Sequence, residues 1–221
     1  MNRQRLLASL FAAVTALCWL PSAHAVVASN DQVKVDTVTA NGSVVDVPVY
    51  IRDSSGTPVG LDQPPGSKIQ SFSIKVSYAP TAAISSITFT RAGITQSLTP
   101  VAEFNPSTPG TVSLVETFQE STNPIPFTLN ASGGDEVGHL SVTLSPAAVP
   151  GSTITLILDP TVTTVANQDG TTEETVGNAR LSLVDGAINV PLNYVSTVPT
   201  MSTWALLLVA LSFVVIALRA R

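Results

Sequence analysis

Between residues 26 and 190 apolar and polar side chains alternate over short runs, with Gly, Pro, Asn, Asp or Ser breaking the pattern about every ten positions. Val45, Val47, Val49 and Ile51 alternate with Val44, Asp46, Pro48 and Tyr50, and Phe72, Ile74, Val76 and Tyr78 alternate with Ser71, Ser73, Lys75 and Ser77. A repeat of two is the strand repeat, so each run predicts a strand with one buried face. Val112 and Leu114, then Leu140, Val142 and Leu144, then Ile154, Leu156 and Leu158 continue it, and Ala187 to Val190 closes it.

No amphipathic helical run interrupts these segments, and one-sided strands must pair their apolar faces across a shared core. The pattern therefore predicts an all-β fold, a β-sandwich of jelly-roll or immunoglobulin-like type with about nine strands. Pro48 lacks a ladder donor and predicts an edge position for its strand. Arg52 to Ser67, with Gly56, Pro58, Gly60, Pro64, Pro65 and Gly66, predicts a long surface loop, and Glu120 to Glu136 a second; neither concentrates reactive groups along the chain.

The two ends break the pattern. Arg3 and Arg5 precede an apolar run from Leu6 to Leu20, and Ala23-His24-Ala25 supplies the small residues of a signal-peptidase site, which predicts cleavage after Ala25. The run is too short to span a bilayer and polar chain follows at once. Cys18 lies in this run behind Leu17 rather than a small residue, which argues against lipidation. The mature chain would then hold no cysteine, which excludes disulfides, thiol catalysis and cysteine-bound metal.

At the other end every residue from Trp204 to Leu218 is apolar except Ser212, and the chain then reads Arg219-Ala220-Arg221. Such a stretch covers about 22 Å as a helix, and a flanking Trp and Arg extend the match to a hydrocarbon core. The basic end predicts a cytoplasmic C-terminus and an outward-facing domain. The segment boundaries are thus 1–25 for the signal peptide, 26–190 for the sandwich, 191–203 for a short linker and 204–221 for a transmembrane anchor.

Six basic residues lie between the two ends against all fifteen acids, a net charge of −9, which excludes nucleic acid as a partner. Catalysis lacks its usual parts. After signal removal His139 is the only histidine, read here as an ordinary strand residue. Glu103, Glu116 and Glu120 could in principle supply an acid and a base for glycoside hydrolysis, but no aromatic-rich cleft accompanies them, and they read as solvated carboxylates.

Asn167-x-Asp169-Gly170 resembles the middle of a calcium loop, yet Val165 and Val176 stand where oxygen ligands would be needed, so a tight turn explains it better. A calcium site built from Asp169, Glu173 and Glu174 is the alternative there. Residues 26–203 contain no Trp, which disfavours sugar binding. Phe72, Phe89, Phe104, Phe118 and Phe127 read as core, and Tyr50 as the one aromatic available for a surface contact.

Val198-Pro199-Thr200-Met201-Ser202-Thr203-Trp204-Ala205, followed by the apolar run and the basic end, resembles the IPTL-CTERM sorting signal of Gram-negative bacteria, whose usual pattern is Ile-Pro-Thr-Leu-Ser-x-Trp-Gly. Pro199, Thr200, Ser202 and Trp204 match, and Val198, Met201 and Ala205 are conservative departures. The resemblance implies a sorting or processing enzyme as a partner of the tail and a membrane-anchored or surface location.

Gly42-Ser43-Val44-Val45-Asp46-Val47-Pro48-Val49, a strand ending Ser77-Tyr78-Ala79-Pro80, Gly138-His139-Leu140-Ser141-Val142-Thr143-Leu144 and a closing Asp185-Gly186-Ala187-Ile188-Asn189-Val190 together resemble a cohesin module, with Ala79 where that family carries Asp. The resemblance spans nearly the whole domain. It implies a non-catalytic protein-binding module without cofactor, using one sheet face, with a dockerin-bearing protein as a possible partner. A structural subunit of an extracellular matrix and, more remotely, a carbohydrate-binding module are the alternatives.

Overall fold

The computed structural model describes residues 30–194, so the signal-peptide residues Ala23 and Ala25, the sorting motif and the anchor lie outside it. The described chain forms strands and two single 3-10 turns. In order these are β1 (Asp31–Val35), β2 (Thr37–Thr39), β3 (Val44–Arg52), β4 (Ser71–Ala79), β5 (Ile84–Arg91), β6 (Ala102–Phe104), β7 (Ser107–Thr108) and β8 (Thr111–Thr117). They continue as β9 (Asp135–Leu144), β10 (Thr153–Leu158), β11 (Thr164–Ala166), β12 (Glu173–Thr175), β13 (Leu181–Val184) and β14 (Gly186–Asn189). Nine of the fourteen are four residues or longer, which is the number the alternation predicts; the other five have two or three residues each.

Two sheets stack. One has the order β13-β1-β3-β9-β5; the other runs β12-β11-β4-β10-β14-β2, with β8 on the far side of β4 and β6 and β7 paired to β8. The apolar phase of every predicted strand points inward: Val45, Val47, Val49 and Ile51 meet Phe72, Ile74, Val76 and Tyr78 in one core, joined by Leu114, Leu140, Val142, Ile154, Leu156 and Ile188. Register is fixed by that phase, because a slip of one residue would turn each strand's apolar set to solvent.

The two terminal segments are arranged alike. β1 pairs parallel with β13, β2 pairs parallel with β14, and each segment changes sheet between its two strands. At that change Gly186 lies so close to the other segment that a Cβ would sit 2.3 Å from the Asp36 carbonyl oxygen.

Pro48 does not mark an edge. β3 lies between β1 and β9. The Pro48 carbonyl accepts the Asp36 N–H at 3.0 Å. Because the N and O of an antiparallel strand residue face the same side, the missing donor falls beyond Val35, the last β1 residue in the ladder. The strand is central, but its ladder is already ending where the proline stands.

The two long loops cap the same end of the sandwich and are not simple surface excursions. Asn130 N–H donates to the Asp53 carbonyl at 2.7 Å, Ser55 N–H to Asn130 Oδ1 at 3.1 Å, and Gly66 N–H to both Glu120 oxygens at 3.1 and 3.0 Å. Val59, Ile69, Ile125 and Phe127 are buried beneath them. Glu136 belongs to β9 rather than to the second loop, pairing with Tyr50 across a register shift.

Candidate binding face and buried carboxylates

Outward residues of the larger sheet are small and mostly hydroxylated. β4 presents Ser71, Ser73, Lys75 and Ser77; β8 presents Thr111, Ser113, Val115 and Thr117; β10 presents Thr153, Thr155 and Ile157. The alternation that buries Ile74, Leu114 and Leu156 sends these residues out. Lys75 is the one charged residue among them, and its Nζ is held 3.0 Å from Asp159 Oδ2 at the end of β10. That carboxylate, which also accepts hydrogen bonds from the Thr161 hydroxyl and N–H, is held down at about 2 by Thr161 and Lys75.

Two large apolar side chains stand on this face. Ile157 is 48% exposed and lies opposite Ser77, and Phe104 is 65% exposed and lies opposite Val115, itself opposite Ser73. The two rows are four residues apart along β4, about 13 Å. Phe104 is therefore a surface residue, while Phe72, Phe89, Phe118 and Phe127 are core. β6 is too short to set its own phase, and it is the pairing with β8 that turns Phe104 outward. Tyr50 is half-buried on the other sheet's outer face, with Lys34 Nζ 5.5 Å from its ring centroid. His139 is a half-buried strand residue between Pro48 and Thr90.

The predicted acids separate. Glu116 is fully buried, not solvated: it follows Val112 and Leu114 on the inward phase of β8 and stands opposite Phe72. Its Oε1 lies 3.0 Å from Arg91 Nε, whose hydrogen bond goes to Glu103 Oε2, also at 3.0 Å. Arg91 donates further to the Leu98 carbonyl. Burial pushes Glu116 up to about 8; Arg91 opposes that shift and Glu103 adds to it. Glu120 is on the loop cap, away from both.

Asp169 accepts hydrogen bonds from the Thr171 N–H and hydroxyl, and Asn167 takes the Thr172 N–H, so this segment is the tight turn. Glu173 is exposed and Glu174 buried on opposite phases of β12, so the three acids do not meet. Among the described residues no group of three His, Cys, Asp or Glu side chains is placed to hold a metal ion.

One cluster has no counterpart in the linear reading of the loops. Asp31, Asp53 and Glu174 are all fully buried where the first loop folds back on β1 and β12. Each takes one backbone donor: Ser54 N–H to Asp31 Oδ1 at 2.8 Å, Leu61 N–H to Asp53 Oδ2 at 2.7 Å, and Val59 N–H to Glu174 Oε1 at 3.0 Å. Burial raises all three, Asp53 to about 6. The signal was present at Asp31, which shares its strand phase with Val33 and Val35.

No protein-family model and no curated protein matches the chain. Solved structures do. The third cohesin of ScaC from Acetivibrio cellulolyticus, in complex with the ScaB dockerin, superposes with a TM-score of 0.52 at 19% identity, over 73% of this chain and 99% of that one. A cohesin of Clostridium acetobutylicum gives 0.51 at 19% identity over 75% and 94%, and the OlpA cohesin of Clostridium thermocellum, in complex with a dockerin, 0.51 at 14% over 73% and 99%. Two sheets, their order and these superpositions together show that residues 30–194 have a cohesin-like fold.

Proposed function

We propose that this chain is a non-catalytic protein-binding module that docks its partner on the outer face of β8, β4 and β10. The observation that carries this reading is the near-absence of charge from that face in a domain of net charge −9. Interface centres are depleted in charge and anchored by a few large apolar side chains, and here Phe104 and Ile157 stand among hydroxyl groups able to exchange hydrogen bonds with water for bonds to a partner. Fold alone does not choose the partner. The cohesins similar to this chain that were solved with dockerins support a dockerin-bearing protein as that partner.

Export by the N-terminal segment and tethering by the C-terminal one complete the proposal and would display this face outside the cytoplasm. Titration of the full chain with purified dockerin modules from the source organism, followed calorimetrically, tests it. Binding that is lost with Ile157→Asp and with chelation of the dockerin's calcium supports the reading. Absence of binding together with concentration-dependent self-association would replace it with a structural matrix role.

A further inference from the structure

Asp31 and Glu174 lie within hydrogen-bond reach of each other. Asp31 Oδ1 is taken by Ser54 and Glu174 Oε1 by Val59, so the oxygens left for that contact are Asp31 Oδ2 and Glu174 Oε2, both buried and without any other partner. Two ionised carboxylates cannot meet in this way away from water; the contact needs a proton or a cation between them. Among the described residues no ion pair reaches either group. The metal-ligand count is also short, because the second oxygen of Asp53 is turned toward Gly60, where a Cβ would sit 2.7 Å from it.

We propose that a single shared proton, carried by Asp31 and donated to Glu174, latches the start of β1 and strand β12 to the loop that follows β3, and that losing it at alkaline pH opens this end of the domain. The charged groups facing the pair are Asp53, which disfavours a second negative charge on either acid, and Arg180, which favours the ionised form of Glu174 alone. Because Arg180 acts on Glu174 and not on Asp31, the proton is placed on Asp31. An acid donating to a carboxylate makes a short, strong bond, and here it ties residues 143 positions apart in sequence.

The device does not depend on the binding face, which is the outer surface of β8, β4 and β10, whereas Asp31 and Glu174 are buried where β1 of the smaller sheet meets β12 at the margin of the larger one. Opening would free the Ser54, Val59 and Leu61 N–H groups together, since each is bonded to one of the three carboxylates. The titration runs in one direction. Both acids titrate higher in the folded chain than in the unfolded one, so the stabilisation is complete below the unfolded values and is lost as pH rises through the folded ones.

Hydrogen exchange of the full chain, corrected for the intrinsic pH dependence of exchange, tests the latch at about pH 6 and about pH 9. The expected result is many-fold faster corrected exchange of residues 54–61 at the higher pH, while β4 and β8 keep their protection. Asp31→Asn supplies a permanent donor to Glu174 and should keep the loop protected at both values. Equal protection of the wild-type loop at both values would overturn the proposal. So would protection at the higher pH that is restored by calcium chloride and removed by chelator, which would place a cation rather than a proton between the two groups.

Discussion

Arg91 Nε lies 3.0 Å from Glu116 Oε1, so the end of a strand in one sheet sets a cation beside a carboxyl buried on the inner face of the other. The contact ties the two layers at the side where β6 joins β8. Arg91→Met would strip the neighbour from Glu116 and the donor from the Leu98 carbonyl, at a cost of about 1–3 kcal/mol in chemical denaturation.

Glu116→Gln reports the titration of the same group. Burial raises Glu116 from 4.5 to about 8, so the wild-type chain binds more protons folded than unfolded across that window, and its stability falls as pH rises from about 4.5 to about 8. The glutamine variant should lose that part of the slope, read as melting temperature against pH, and should gain on the wild type above about pH 8.

Asp159 gives the opposite sign. Its carboxyl titrates at about 2 in the folded chain against 3.8 ordinarily, so its contribution is present above the unfolded value and is lost as pH falls toward the folded one. Asp159→Asn should make the acid limb of the stability curve shallower and leave the alkaline limb unchanged.

Phe104→Ala and Ile157→Ala should each weaken partner binding by at least about 1 kcal/mol, roughly fivefold, with little effect on the melting temperature for Phe104, which is largely in water, and a small one for Ile157, which is about half so. Thr143→Ala, on the outer face of the smaller sheet, is the control and should bind normally. A loss of affinity confined to the smaller sheet would move the interface there.

Most of the sandwich was legible because one periodicity governs it. The runs at β3, β4, β8, β9 and β10 announce both strand and buried face, and each inward residue they name is in the core. The acids were legible too, had the same rule been applied to them. Thr111-Val112-Ser113-Leu114-Val115-Glu116 puts Glu116 on the inward phase, as Asp31-Gln32-Val33-Lys34-Val35 does Asp31. Reading them by residue type rather than by phase assigns them to solvent.

Phe104 and the loop cluster were not legible in this way. A three-residue strand has no phase of its own, and the meeting of Asp31 with Glu174 depends on how a loop packs between elements far apart in the chain. Pro48 misled for a related reason: whether a missing N–H matters depends on where the neighbouring strand stops.

The parallel pairing of the first and last segments, β1 with β13 and β2 with β14, has a mechanical consequence. A pull between residues 30 and 190 drives these neighbours in opposite directions along their length, so every hydrogen bond of both ladders is loaded at once in shear. A pull between Val44 and Thr143, which face each other at one end of an antiparallel ladder, would open that ladder one bond at a time. The domain should thus yield at a higher force when stretched from its ends than when peeled across β3 and β9. A tethered module of this build would hold a load along its own axis.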